Sequence, residues 1–381
     1  MTGAFSPRPP ALLFGVPIDD LTMDETVAAV GGLVTDGRRH GRTHQIATVN
    51  VDFLVNALAD DGVHQLLQNA DICLADGAPI VWGARAAHMA LRERIAGADL
   101  VPALAARSVS AGWRIHLFGS APGTAERAAE LLIERYPGAR ITGDSGGFIK
   151  DVGQIDEVLL ASLAAADPDI LCVALGNPKQ ERFIETYRTR LGAPVMIGVG
   201  GTLDFIVGGR RRAPLWVQRI GLEWVVRAAQ EPGRLGKRYA HDALVFFPRL
   251  ARYLWVVRRH RAHADSLRYD VADTEVLVTS GAGTDVSGQW QRAVDAVANQ
   301  VPLRIDAGSA SRLSMGALCG LVGLVRVARR IGAPVDLQHV SSSLRDQLRS
   351  IGLATYLAVS ETNRKPPGSR LRRVWRTTSS S

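Results

Sequence analysis

The chain has 381 residues, 46% of them hydrophobic and 22% charged, an ordinary globular composition with enough apolar sequence for a sizeable core. That length predicts two or three domains. Cys73, Cys172 and Cys319 lie far apart inside apolar runs, which excludes a disulfide framework or a cysteine metal site and predicts buried thiols in a reducing compartment. The first fifteen residues hold no apolar core long enough for a signal peptide, so the expected location is cytoplasmic. The net charge of +8 is concentrated in two places. Residues 208–268 carry fourteen Lys/Arg against four acids, and residues 360–381 carry six against one, which leaves the remainder negative. A partner bearing phosphates should meet the basic segments.

In chain order, Leu12 to Val16 reads as a short strand. Thr22 and Glu25 form a T-x-x-E capping box opening a helix that reaches about Val34. Gln45 to Val49 is the next strand. It points Thr48 and Asn50 the same way and leads into the helix VDFLVNALADD. Asp71 to Leu74 is a strand running into Ala75-Asp76-Gly77-Ala78-Pro79, and a carboxylate followed by Gly and Pro belongs on a loop at a strand end. Helices follow through Arg94 and AGADLVPALAARS. Arg114 to Phe118 is a strand, and Gly119 to Gly123, with Ser120 between, is a phosphate-style turn before the helix TAERAAELLIERY. Arg140 to Thr142 reads as a strand, residues 143–148 as a glycine-rich loop, and Val152 to Ala165 as a helix.

Ile170 to Leu175 is a short apolar run closed by Gly176, as suits a strand buried on both faces of a parallel sheet. Asn177 and Pro178 must then be the loop at its carboxyl end, because proline cannot continue the ladder, and Lys179, Gln180 and Glu181 open the next helix. A second buried strand, Val195 to Val199, ends at Gly200-Gly201 with Thr202 and Asp204 just beyond. This alternation is that of a doubly wound, Rossmann-like parallel α/β sheet, assigned to residues 1–209. In such sheets ligands bind outside the strand carboxyl ends, which is where these polar residues fall.

Residues 210–265 read as a helical appendage rich in arginine and aromatics. Its apolar run, Ala243 to Val257, is fifteen residues long and contains Pro248, Arg249 and Arg252, too short and too charged to span a bilayer. It reads as an amphipathic element with Trp255 and Phe246 on one side and arginine on the other, lying on an anionic membrane surface. Nucleic acid fits less well, because the aromatics alternate with long aliphatics instead of forming stacking platforms. Residues 266–360 form a third unit. EVLVTSGAG and PLRIDAGSAS read as strands, MGALCGLVGLVRVARRIG as a helix, then PVDLQHV as a strand and SSSLRDQLRSIG as a helix. Residues 361–381 read as a disordered tail.

Several residues invite a chemical role and an ordinary one. Asp76, with a glycine beside it to admit a ligand, is either a general base or a turn-capping aspartate. Thr48 and Asn50 either bond a sugar or phosphate, or Asn50 simply caps a helix. Residues 176–181 are more polar than turning a chain requires. Asp204 either holds a ribose or base edge or caps a turn. Gly119 to Gly123 lacks the full G-x-G-x-x-G and its acidic ribose partner, no P-loop lysine is present, and neither the nine histidines nor any D-x-D pair suggests a metal.

The segments NVDFLVNAL, LADGAPIVW, ERIAGADLV, IHLFGSAPGTAERAAELL, DILCVALGNPKQERFI, GVGGTLDFIVGG and RAPLWVQRIGLEWVVRAAQEPGRLGKRY together resemble the WecG/TagA/CpsF glycosyltransferase family over roughly Leu12 to Tyr239. The resemblance implies transfer, with inversion and without a metal, of an N-acetylhexosamine-type sugar (N-acetylmannosamine or its uronate) from a UDP donor. The acceptor would be polyprenyl-diphosphate-linked and met at the inner face of the cell membrane, in building a cell-surface polysaccharide. It implies Asp76 as base, a substrate pocket lined by Thr48, Asn50, Arg94 and Gln180, and Asp204 near the nucleotide. Gly119, Ser120, Asn177 and Lys179 complete the expected substrate site. Arg227, Arg234 and Lys237 fall where family members carry basic residues that meet the acceptor diphosphate. Lys237 stands where arginine is usual, and Arg238 can share the role. No cofactor is implied.

The third unit resembles a STAS domain in PLRIDAGSASRLSMGALCGLVGL and GAPVDLQHVSSSLRDQLRSIGL, with Ser314-Met315 in place of the usual Asp-Ser. That implies a docking or sensing module with a protein partner. The competing reading is a nucleotide-sugar or lipid sensor that has lost catalysis and signals through that unit. A nicotinamide oxidoreductase is disfavoured by the missing fingerprint.

Overall fold

The computed structural model describes residues 8–357, apart from 147–148, 150, 209–216, 218–232, 234–235, 262–264, 282–285 and 308–309. The first strand expected, Leu12 to Val16, is a hairpin: β1 (Ala11–Leu13) pairs antiparallel with β2 (Val16–Ile18). The chain reverses through Phe14 and Gly15, both at positive φ. Helix α1 (Met23–His40) begins at the Thr22/Glu25 capping box and runs two turns past Val34, to a left-handed cap at Gly41. The polar stretch Thr35–His40 hid its end, because basic residues in a last turn stabilise a helix through its dipole without adding to the apolar stripe.

Six parallel strands form the central sheet: β3 (His44–Val49), β4 (Ile72–Ala75), β5 (Arg114–Gly119), β6 (Arg140–Asp144), β7 (Ile170–Ala174) and β8 (Val195–Gly198). Their spatial order is β4-β3-β8-β7-β5-β6. The chain lays down one edge with β3 and β4, crosses to build β5 and β6, and returns to fill the gap with β7 and β8. The filling strands are continuous apolar runs because helices cover both faces, and every residue of β3, β7 and β8 is buried. The intervening helices are α2 (Val51–Ala59), α3 (Asp61–Asn69), α4 (Ala78–Ala86), α5 (Gly97–Ala111), α6 (Thr124–Arg135), α7 (Glu157–Ala165), α8 (Lys179–Leu191) and the short α9 (Thr202–Ile206). Gly143, expected in a loop, lies inside β6: a Cβ there would come within 2.2 Å of the Ala125 carbonyl oxygen, so the glycine lets α6 approach the strand.

Helix α10 (Lys237–Arg261) packs Phe246, Leu250, Tyr253 and Val257 into the core at helical spacing, and the Tyr253 hydroxyl donates to the Leu12 carbonyl oxygen at 2.6 Å. Trp255 is exposed, as are Leu244 and Phe247. Phe246 and Trp255 therefore lie on opposite faces, contrary to the sequence expectation. Nine positions of 100° each place them about 180° apart on the helical wheel.

Beyond α10 the chain builds a second sheet of order β12-β11-β10-β9, from β9 (Ser266–Val271), β10 (Val276–Gly281), β11 (Leu303–Asp306) and β12 (Val335–Gln338). β9 runs antiparallel to β10, and the other pairs are parallel. Helices α11 (Val286–Ala298), α12 (Met315–Ile331) and α13 (Ser342–Ser350) accompany it. Sequence reading missed β9 and α11. The first is a polar-rich edge strand; the second shows its face in Trp290, Ala293, Val294 and Val297, all buried. One hydrophobic core runs from the β1–β2 hairpin and α2 to α4 through α10 into this unit. Where they join, Arg326 of α12 meets Asp19 at 3.0 Å with both side chains buried, and Asp19 also accepts the Cys73 amide at 2.8 Å.

Candidate active site

At the carboxyl ends of β4, β3, β8, β7 and β5 the sheet opens into a cleft of about 360 Å³. It includes the point where the strand order reverses, between the neighbours β5 and β7, because the chain leaves β5 for β6 towards one edge of the sheet and leaves β7 for β8 towards the other. Eight of the residues expected at the site line it: Thr48, Asn50, Asp76, Ser120, Asn177, Gln180, Asp204 and Arg238. Gly119, Lys179, Arg94 and Lys237 do not. Gly119 ends β5 at a φ of +97°, and a Cβ there would stand 3.0 Å from the Ala174 carbonyl oxygen, so its role is to let β5 and β7 close up before Ser120 turns into the cleft. Lys179 and Lys237 point to solvent. Arg94 pairs with Asp99 at 3.5 Å, two residues before the lining residue Ala96. Arg227 and Arg234 lie outside the described residues.

Asp76 is the first residue past β4. Its amide donates to the Val49 carbonyl oxygen at 2.8 Å, and Gly77 beside it adopts a φ of +151° that only glycine takes readily. The carboxylate is thus set on a fixed backbone at the cleft wall. Asn50 has both roles sequence reading left open: its side-chain oxygen caps α2 through the Phe53 amide at 2.9 Å, and it lines the cleft. The Thr48 hydroxyl donates to the Gly198 carbonyl oxygen at 2.8 Å. Ser120 donates to Asp204 at 2.7 Å, which links the β5 turn to α9 across the mouth.

Residues 176–181 form a wired turn. Asn56 donates to Asn177 at 2.8 Å, and Asn177 to Asp52 at 2.7 Å; the Asn177-Pro178 peptide is cis. The Gln180 carboxamide is held at both ends, accepting the Gly200 amide at 2.9 Å and donating to Glu181 at 2.7 Å. Gly198 must be glycine, because a Cβ would come within 2.5 Å of both side chains.

Glu181, Asp52 and Asp242 are the groups sequence reading did not assign. Glu181 is fully buried, and burial pushes its carboxyl up to about 8, the Gln180 amide offsetting only part of the shift. At neutral pH it is an uncharged acid behind the glutamine. Asp242, buried near the start of α10, is pushed up to about 6 by burial and by the nearby Asp52, with Arg238 and His241 acting the other way. A carboxylate at a helix start reads as a solvated cap in sequence, and only the docking of α10 beside α2 reveals it as buried.

A wound parallel sheet with a polar cleft at its strand ends, lined by the carboxylates of Asp52, Asp76 and Asp204 and by several amide and hydroxyl groups, is the architecture of an α/β protein that takes a polar ligand there. The chain belongs to the glycosyl transferase WecG/TagA/CpsF family, whose profile matches residues 11–260, and it is a glycosyltransferase acting in cell-envelope polysaccharide biosynthesis. It is similar to the N-acetylglucosaminyldiphosphoundecaprenol N-acetyl-beta-D-mannosaminyltransferase of Bacillus subtilis, with 33% identity over 189 residues covering 50% of this chain and 72% of that protein. It is also similar to the enzyme of the same name from Bacillus spizizenii, with 31% identity over 215 residues covering 56% of this chain and 82% of the relative. The family match ends at residue 260, before the second sheet begins.

Proposed function

We propose that this glycosyltransferase moves an N-acetylmannosamine-type sugar from a UDP donor to a polyprenyl-diphosphate-linked acceptor, with inversion at the anomeric carbon. The names of the relatives support the sugar and the lipid diphosphate acceptor. The observation that carries the reading is Asp76, fixed at the end of β4 in a cleft it shares with Thr48, Asn50, Gln180, Asp204 and Arg238.

In this mechanism the Asp76 carboxylate takes the proton of the acceptor hydroxyl while its oxygen attacks the anomeric carbon. The new C–O bond forms as the bond to the UDP phosphate breaks, and UDP leaves with the electron pair. Asn50, Gln180 and Thr48 orient the sugar, Ser120 and Asp204 receive the nucleoside, and Arg238 with the appendage arginines stabilises the phosphate charge. Asp76→Asn should abolish release of UDP from UDP-N-acetylmannosamine in the presence of a short-chain lipid diphosphate while leaving UDP binding intact. Undiminished turnover would remove Asp76 from the role of base.

A lipid-linked acceptor supports a peripheral position at the membrane, which this reading puts on its inner face. Among the described residues no helix is long and apolar enough to cross a membrane. On α10 the exposed Leu244, Phe247 and Trp255 lie on one face flanked by the exposed Arg252, Arg258 and Arg259, an arrangement suited to an anionic bilayer surface. The unit from β9 to α13 is read as a STAS-like docking module. Its Ser314 caps α12 by accepting the Ala317 amide, a structural task in keeping with the altered motif there.

A further inference from the structure

The cleft lies at the carboxyl ends of the sheet, and a second cavity, of about 400 Å³, lies at the amino ends of β3 and β4 where α12 packs against them. Its wall is dominated by arginine: Arg42 ahead of β3, Arg188 in the last turn of α8, and Arg326, Arg329 and Arg330 along α12. Two of these are neutralised in place, Arg326 by Asp19 at 3.0 Å and Arg330 by Asp71 at 2.8 Å. The other three are not. Arg188 reaches only Glu185, at 3.5 Å along its own exposed helix face, and Arg42 and Arg329 have no acidic partner among the described residues.

Tyr356 closes the cavity. The Arg329 guanidinium stacks 4.4 Å over its ring and donates to its carbonyl oxygen. Tyr356 is 4% exposed, and its hydroxyl, close to Arg326, Arg329 and Arg330, makes no hydrogen bond of good geometry, the Arg329 guanidinium lying over the ring instead. A buried hydroxyl without a well-formed hydrogen bond carries an uncompensated desolvation cost. Positive charge in excess of its counter-charge and an unused buried donor face the same space.

We propose that this cavity is a binding site for a small phosphorylated anion, a nucleoside diphosphate or inorganic pyrophosphate, held by Arg42, Arg188 and Arg329 and by the Tyr356 hydroxyl. Guanidinium groups bind phosphate oxygens two at a time in a fixed plane, and the volume is that of small-molecule sites. The site is separate from the sugar-transfer cleft and does not depend on the activity assigned there.

The test is calorimetric titration of the full chain with pyrophosphate and, in a second arm, with ADP. Wild type should bind at least one of them. Arg42→Gln/Arg188→Gln, which replaces an exposed and a partly exposed side chain and should leave the melting temperature and UDP-sugar turnover unchanged, should weaken that binding event by about tenfold or more. Tyr356→Phe, which removes one oxygen, should weaken it several-fold. Equal binding of both probes identifies the phosphates as the recognised group, and tighter binding of ADP identifies a nucleotide. No binding of either at about 10 mM, or affinity unchanged in the double variant, overturns the proposal.

Discussion

The two ends of the central sheet use the same residue types in opposite ways. At the amino ends, Asp71 and Asp169 stand just before β4 and β7, and each reaches sideways to an amide at the start of a neighbouring strand: Asp71 to Gln45 at 2.8 Å and Asp169 to Arg114 at 2.7 Å. Each is also paired, Asp71 with Arg330 and Asp169 with Arg38. Arg330 and His44 hold Asp71 well below the usual carboxylate range despite its burial. At the carboxyl ends, Asp76 and Asp204 follow their strands, where the chain turns away and a cleft opens. Asp71 and Asp169 are held by backbone amides and arginines, whereas Asp76 and Asp204 line the cleft. Position relative to the strand separates acids fixed in the scaffold from acids that line the cleft better than residue type does.

The largest test of that contrast is Asp76→Asn against Arg326→Met. The first should cut turnover by about 10²–10⁴-fold with the melting temperature unchanged. The second leaves Asp19 buried without its partner and should cost about 3–5 kcal/mol of stability, read from the urea midpoint. If Asp76→Asn unfolds the protein, or Arg326→Met leaves stability untouched, the division between the two ends fails.

Glu181 sharpens the comparison, being a carboxyl on the cleft side that is fully buried. Its folded pKa, about 8, lies above its unfolded value. Its contribution to stability is therefore full below about pH 4 and is lost as pH rises towards 8, where the folded protein must ionise it or unfold. Glu181→Gln should flatten the fall in melting temperature between pH 5 and 8, measured against wild type, and a parallel pair of pH profiles would contradict the shift. Smaller in effect, Trp255→Ser on the exposed face of α10 should reduce sedimentation with anionic vesicles while sparing turnover on a soluble short-chain acceptor. Smallest is Arg190→Ala, which removes a solvent-exposed pair with Glu157 and should leave the melting temperature unmoved.

Much of this site was legible in the chain. Apolar runs closed by glycine located β7 and β8, and polar residues packed into 176–181 and around Asp76 marked the rim, because a chain needs few polar side chains merely to turn at a buried strand's end. Sequence reading put Arg94 and Lys179 among the lining residues. The structure turns one towards Asp99 and the other to solvent, since residue spacing alone does not fix where a long side chain points. It also placed Phe246 and Trp255 together, when the face that β1 and α2 bury decides which one is hidden.

What the residue order determined by itself was local: strand and helix alternation, capping at Thr22, a carboxylate beside a flexible glycine at Asp76. Those signals depend on neighbours a few positions apart. What only the tertiary structure decided was pairing over distance: Asp19 with Arg326, Gln180 clamped between Glu181 and the Gly200 amide, and the arginine-walled cavity between α8 and α12. The cost of a buried charge, and the shift it imposes on a carboxyl, come from groups brought together by the fold from positions up to 307 residues apart.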